Sequence, residues 1–213
     1  MKSAKAFGKL AVATFLLTLG TLVCSSLAWG QNSLEFPDFT ATQVFTSGKA
    51  DIAMKVYRAG SSVRVERSAA LSTLYDPTSS KVYNLTTYPD KSHQCVAMKP
   101  EQAKMLPSPL ELMQGKIVKR TTVGNEVVEG HAAKVENVVV ARPDGKQIEF
   151  KVWQAEDLKG VPVKIEAHID EVVLTAFYRD VVTGAADPSL FTAPEKCTPF
   201  EKMGQVAEMK VIK

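Results

Sequence analysis

Strict alternation of apolar and polar side chains, repeated hairpin after hairpin, constrains this chain more than any other feature. It is plainest in Phe150–Ala167, FKVWQAEDLKGVPVKIEA. Phe150, Val152, Val163 and Ile165 fall at period two, with Lys151, Lys164 and Glu166 between them. That period suits a strand with one dry face and one wet face, not a helix. Gly160 and Pro162 break the chain where the second strand begins, and parity places Trp153 on the face opposite Phe150 and Val152.

The same grammar runs from Phe39 to Tyr178. Ala50–Tyr57 alternates Ile52, Met54 and Val56 against Lys55 and Tyr57. Arg58–Ser61 turns it back into Ser62–Arg67, where Val63 and Val65 share a face. Asp76–Ser80, Tyr88–Lys91 and Arg142–Gly145 are further turn clusters between alternating runs. Val127–His131 reads as a short strand with a tight turn. Pro100–Gly115 loses the period. Ser108, Pro109 and Glu111 spell a helix start, which predicts a short helix over Pro109–Gln114 with Gly115 as its C-terminal stop. Pro100–Met105 is a candidate for another helical turn, and Gln205–Ile212 for a last strand.

About ten short strands with so little helix predict a mainly β fold: one large curved antiparallel sheet, or incomplete β-barrel, with one or two short helices over its concave face. A sheet of that size has more apolar surface than such helices cover. Either it closes on itself or it leaves an apolar cavity of ligand-binding size. The candidate lining on the hairpins is Ile52, Met54, Val56, Val63 and Val65. From the later strands come Phe150, Val152, Val163 and Ile165; from the helical insertion, Met105, Leu112 and Met113. Methionine adapts to irregular apolar surfaces, which suits that position.

Residues 1–30 read as a signal peptide. Lys2, Lys5 and Lys9 precede the apolar run Leu10–Val23, and Ala28-Trp29-Gly30 supplies small residues for cleavage after Gly30. The run is short for a membrane span. Val23 before Cys24 is the wrong residue for lipid modification of that cysteine, which needs a small neighbour. The expectation is a periplasmic or secreted protein with one domain over residues 31–213. Without residues 1–30 the chain carries 23 basic and 23 acidic side chains. A neutral, mixed surface speaks against nucleic acid as a partner. Two cysteines remain, and an even number in an oxidising compartment predicts a Cys95–Cys197 disulfide.

No catalytic constellation stands out, so the sequence predicts a protein that is not an enzyme. There is no G-x-S-x-G elbow and no glycine-rich phosphate loop. His93, His131 and His168 sit in separate contexts without metal-ligand spacing, so neither a metal nor a cofactor is expected.

The order of parts resembles the periplasmic lipoprotein-carrier superfamily typified by LolA and LolB. The features that carry the likeness are DIAMKVYRAGSSVRVERS, LYDPTSSKVYNL, VEGHAAKVENVVV, VWQAEDLKGVPVKIEA and the ending DPSLFTAP, across most of Phe39–Pro194. The resemblance implies an incomplete β-barrel with helices lidding an apolar cavity that takes acyl chains. The expected function is binding or carriage of a lipid, an acyl chain or another apolar ligand, with a lipid or lipidated protein as partner. The alternative is a non-catalytic envelope module with a filled core and a protein partner.

Overall fold

The computed structural model describes residues 34–47, 50–102, 108–113, 115–142 and 145–203. The signal-peptide reading, Cys24, Met105 and Gln205–Ile212 lie outside them. No helix among the described residues is long and apolar enough to cross a membrane.

The first half is a meander. β1 (Phe39–Ser47), β2 (Ala50–Ala59), β3 (Ser62–Glu66), β4 (Leu71–Asp76), β5 (Lys81–Thr87) and β6 (His93–Met98) each pair antiparallel with the next. The second half is another: β7 (Lys116–Val128), β8 (His131–Ala141), β9 (Gln147–Ala155), β10 (Val161–Ile169) and β11 (Val172–Thr183). β11 then pairs with β1 and joins the halves. A two-residue strand, β12 (Thr198–Pro199), lies parallel to β6. The result is one open 12-stranded sheet, in the order β12-β6-β5-β4-β3-β2-β1-β11-β10-β9-β8-β7.

Alternation in the sequence becomes two faces in the sheet. One apolar cluster joins Val56, Val63 and Val65 of the first meander to Val138, Phe150, Val152 and Ile165 of the second, so this is the inner face. Leu34 and Phe36 of the lead-in and Leu110, Leu112 and Met113 of the helical insertion complete it. The outer face carries two smaller clusters. Ala133, Val135, Trp153, Ala155 and Val163 form one. Leu74, Tyr83 and Cys95 form the other, with Phe191 and Cys197 packed on it.

Several expectations change in detail. Val163 is not on the inner face. A β-bulge between Pro162 and Lys164 sets Lys164 opposite Trp153, and Val163 joins the Trp153 cluster. Ile52 is 51% exposed near the start of β2 and lies outside the inner cluster. Val127 and Val128 end a single strand over residues 116–128 rather than forming a short strand of their own, with bulges at Ile117/Lys119 and Thr122/Gly124.

The helix, α1, spans Pro109–Leu112 as a single turn closed by Met113 N–H to the Pro109 carbonyl at 3.0 Å. Gly115 is no left-handed cap. A Cβ there would stand 2.6 Å from Val140 Cγ1 and 2.7 Å from the Ala141 carbonyl oxygen, so glycine is needed for close approach to β8. Pro100–Gln102 is a short 3₁₀ turn, as is Pro188–Phe191. The latter delivers Phe191 to the outer-face cluster of Leu74, Tyr83 and Cys95.

Candidate functional site beneath the one-turn helix

The inner face is apolar by composition, yet the elements that cover it are held by polar contacts. Ser108 caps α1: its Oγ accepts from Leu110 N–H, and its own N–H donates to Glu111 Oε2 at 3.2 Å, a reciprocal capping box. The same Ser108 hydroxyl donates to Gln43 Oε1 at 2.6 Å. Gln43 points inward because it shares parity with Ala41 and Phe45 on β1, and it is fully buried. Tyr178 stands opposite Gln43 in the β1–β11 register and meets Phe39 edge-on at 6.2 Å.

This cluster is under-satisfied. Gln43 Nε2, Glu111 Oε1 and the Tyr178 hydroxyl are buried without a hydrogen-bond partner among the described residues. Each such atom costs on the order of 1–3 kcal/mol of unrecovered hydration. Burial pushes the Glu111 carboxyl up to about 7, against the pull of the Ser108 N–H and the Arg67 charge. Burial likewise raises Tyr178; the adjacent Ser108 hydroxyl opposes this and the Glu111 charge adds to it.

The lead-in Leu34–Asp38 is the second piece of cover. Arg58 of β2, buried on the inner face, donates to the carbonyls of Phe36 and Pro37, with its guanidinium 5.3 Å from the Phe36 ring centre. Burial lowers the Arg58 pKa, opposed by Asp38 and Glu35. Asp38 Oδ1 accepts from Gly60 N–H at 2.7 Å, and its carbonyl from Gly184 N–H at 2.8 Å. At the far side of the same face, Glu136 is buried among Arg120 (2.8 Å), Lys134 (2.7 Å) and Thr122 (3.4 Å). Burial raises its carboxyl, but hydrogen bonds from Arg120 and Lys134 outweigh that and hold it below the usual range.

Of the expected lining residues, Met54, Val56, Val63, Val65, Leu112, Met113, Phe150, Val152 and Ile165 come together in the inner cluster, while Val163 and Ile52 do not. Three surface grooves have volumes of 330, 480 and 670 Å³. Among these grooves of described residues, the second touches Phe150 and Val138, and none reaches Met54, Val56, Val63, Val65, Val152 or Ile165. The polar members of the site, Gln43, Arg58, Glu111 and Tyr178, do not belong to the apolar pattern that marks the expected lining. Inward parity at Gln43 and Arg58 was the available signal.

Cys95 and Cys197 form the expected disulfide, which fastens the C-terminal segment to the outer face of β4–β6. The histidines are apart: His93 meets Thr87, and His131 meets Asp157 at 2.7 Å. No group of three or more His, Cys, Asp or Glu is placed to hold a metal among the described residues.

No family model matches this chain, and no curated protein matches it. It is similar to several solved structures. For MucB the identity is 18%, over 79% of this chain and 61% of that one, with a TM-score of 0.39. For the MucA/MucB complex of Pseudomonas aeruginosa the identity is 16%, over 76% and 57%, with a TM-score of 0.33. The chain thus spans about three fifths of the MucB chains. A LolA superfamily protein from Nitrosomonas europaea matches at 10% identity over 76% of this chain and 93% of that one, with a TM-score of 0.32. The superfamily that the sequence resembles is therefore among the similar structures, at TM-scores too low to bear on function.

Proposed function

We propose that this is an exported, non-catalytic protein that binds a lipid, an acyl chain or another apolar ligand on the inner face of its sheet. The carrying observation is the nature of the cover. Among the described residues, an apolar face drawn from both meanders is covered by one turn of helix and five residues of lead-in. The helix rests on Gln43 through Ser108 in a cluster with three buried polar atoms that lack a partner among the described residues. A roof seated on incompletely satisfied polar groups is cheaper to lift than one seated on dry packing, because exposure to water restores the missing hydrogen bonds. Lifting it opens the inner cluster, to which Met54, Val56, Phe150 and Val152 belong, to a hydrocarbon chain.

A second reading is an envelope module with a permanently filled core and a protein partner. The observation that favours it is that Val56, Val63, Val138, Val152 and Ile165 have no exposed surface. The test is mass spectrometry of solvent extracts from protein purified without detergent. A co-purifying lipid near one per chain supports the ligand reading. An extract without lipid, together with in-cell crosslinking to one protein, would reject it in favour of the filled module.

A further inference from the structure

The chain treats the two borders of its sheet differently. At one, β12 covers β6, and the disulfide Cys95–Cys197 holds the covering segment. At the other, β7 runs for 13 residues with no strand outside it among the described residues. Its side chains are exposed apart from the half-buried Ile117 and Val128, and Val127 reaches 76%. A row of free N–H and C=O groups of this length is a template for another strand.

Charge is sorted along that border. Lys116, Lys119 and Arg120 lie in the first half, and Glu126 followed by Glu129 in the second. An antiparallel copy of the same strand therefore sets basic half against acidic half. With the two-fold axis between Thr122 and Val123, Lys119 faces Glu126, Val118 faces Val127 and Arg120 faces Asn125, and each pair occurs twice. The faces agree. Arg120 and Asn125 pair with Val138 and Lys134 of the inner face, and Lys119 and Glu126 with Val139 and Ala133 of the outer face. A slip of two residues either way removes the Lys–Glu pairs, and a slip of one turns side chains to opposite faces.

Lys119 has no ion pair among the described residues, whereas Glu126 is half-exposed and held in place by Trp153 Nε1 at 2.8 Å and Lys151 at 3.3 Å. The bulges at Ile117/Lys119 and Thr122/Gly124 increase the local twist, which makes β7 a poor template for an arbitrary strand. A second copy carries the same twist.

We infer that β7 is a self-recognition edge: two copies of this chain join through antiparallel β7–β7 pairing in the register that sets Lys119 against Glu126. The inference is independent of whether the inner face takes a ligand. Sedimentation of the purified protein over a concentration series tests it. The expected species is a dimer, with amide hydrogen exchange in residues 116–128 slowing as concentration rises. K119E and E126K each place like charges opposite one another, so each weakens the dimer at least tenfold. An equimolar mixture of the two variants restores it, because both pairs in the mixed dimer are again opposite in sign. The exchange readout needs no variant and stands even if E126K, which loses its bond to Trp153, folds poorly. A monomer at every concentration overturns the inference. So does a dimer that leaves β7 exchange unchanged, or one that K119E does not weaken.

Discussion

The Ser108 hydroxyl donates to Gln43 Oε1 at 2.6 Å, so the residue that starts the only α-helix of the described chain is also the one that fastens it to β1. Ser108→Ala removes both roles. The lost cap costs about 1 kcal/mol. Leaving the Gln43 amide wholly unpaired adds about 1–2 kcal/mol. Urea unfolding is expected to show a lower midpoint for this variant. Gln43→Met, which removes the orphaned amide nitrogen as well, is expected to cost less than Ser108→Ala. The opposite ranking would show that the amide contributes more than its unpaired atom loses.

Glu111 makes stability depend on pH in an unusual direction. Its carboxyl rises from 4.5 to about 7 in the folded chain, chiefly by burial. The native state then holds the proton more tightly than the unfolded state. The contribution is least unfavourable below about pH 4.5, and it worsens as pH rises through about 7. The full shift corresponds to an upper bound of about 3 kcal/mol. Glu111→Gln keeps an acceptor for the Ser108 N–H and removes the ionisation. It is expected to flatten the stability profile between pH 5 and 8 and to raise the urea midpoint at pH 8. Parallel profiles for variant and parent would contradict this assignment.

Gly115→Ala puts a methyl group against the Ala141 carbonyl oxygen at 2.7 Å, a contact with backbone that cannot rotate away. The expected loss is about 1–3 kcal/mol, in line with overpacking of a close approach. Thermal unfolding measures it. An unchanged transition would mean that residues 115 and 141 separate freely.

The disulfide closes a sequence separation of 102 residues. Chain entropy assigns a loop of that length about 4–5 kcal/mol. Cys197→Ser is expected to lower the urea midpoint and to make residues 188–203 the first site of proteolysis, since Phe191 and the β12 pairing lose their fastening. Cleavage that began elsewhere would show that these contacts hold the segment without the bond.

Much of the fold was legible because hairpin turns and period two are local signals. Gly60–Ser61 between Ala59 and Ser62, and Glu129–Gly130 with both residues at positive φ, close two-residue hairpins that the turn chemistry announces. The disulfide followed from parity of count. What was not legible depends on long range or on a one-residue irregularity. The bulge at Pro162/Lys164 moves Val163 across the sheet, and no alternation rule marks where an extra residue is inserted. Gln43 and Ser108 are 65 residues apart, and their contact exists only once α1 lies over β1. A polar residue at an apolar-parity position was the clue, but parity does not name its partner.

The seam between the two meanders sets an order on assembly. β1 lies between β2 and β11, so Phe39 has Arg58 on one side and Thr183 on the other. A chain synthesised N-terminus first can zip β1 through β6 at once, since each strand meets its neighbour in sequence. The inner surface of those strands stays wet until β11 arrives some 130 residues after β1, and the outer surface until Cys197 does. Non-local closure of this kind is slow, and the half-built sheet is adhesive while it waits. Until its last long strand is delivered, the first meander can exist only as a ribbon of six strands in which one edge of β1 has no neighbour.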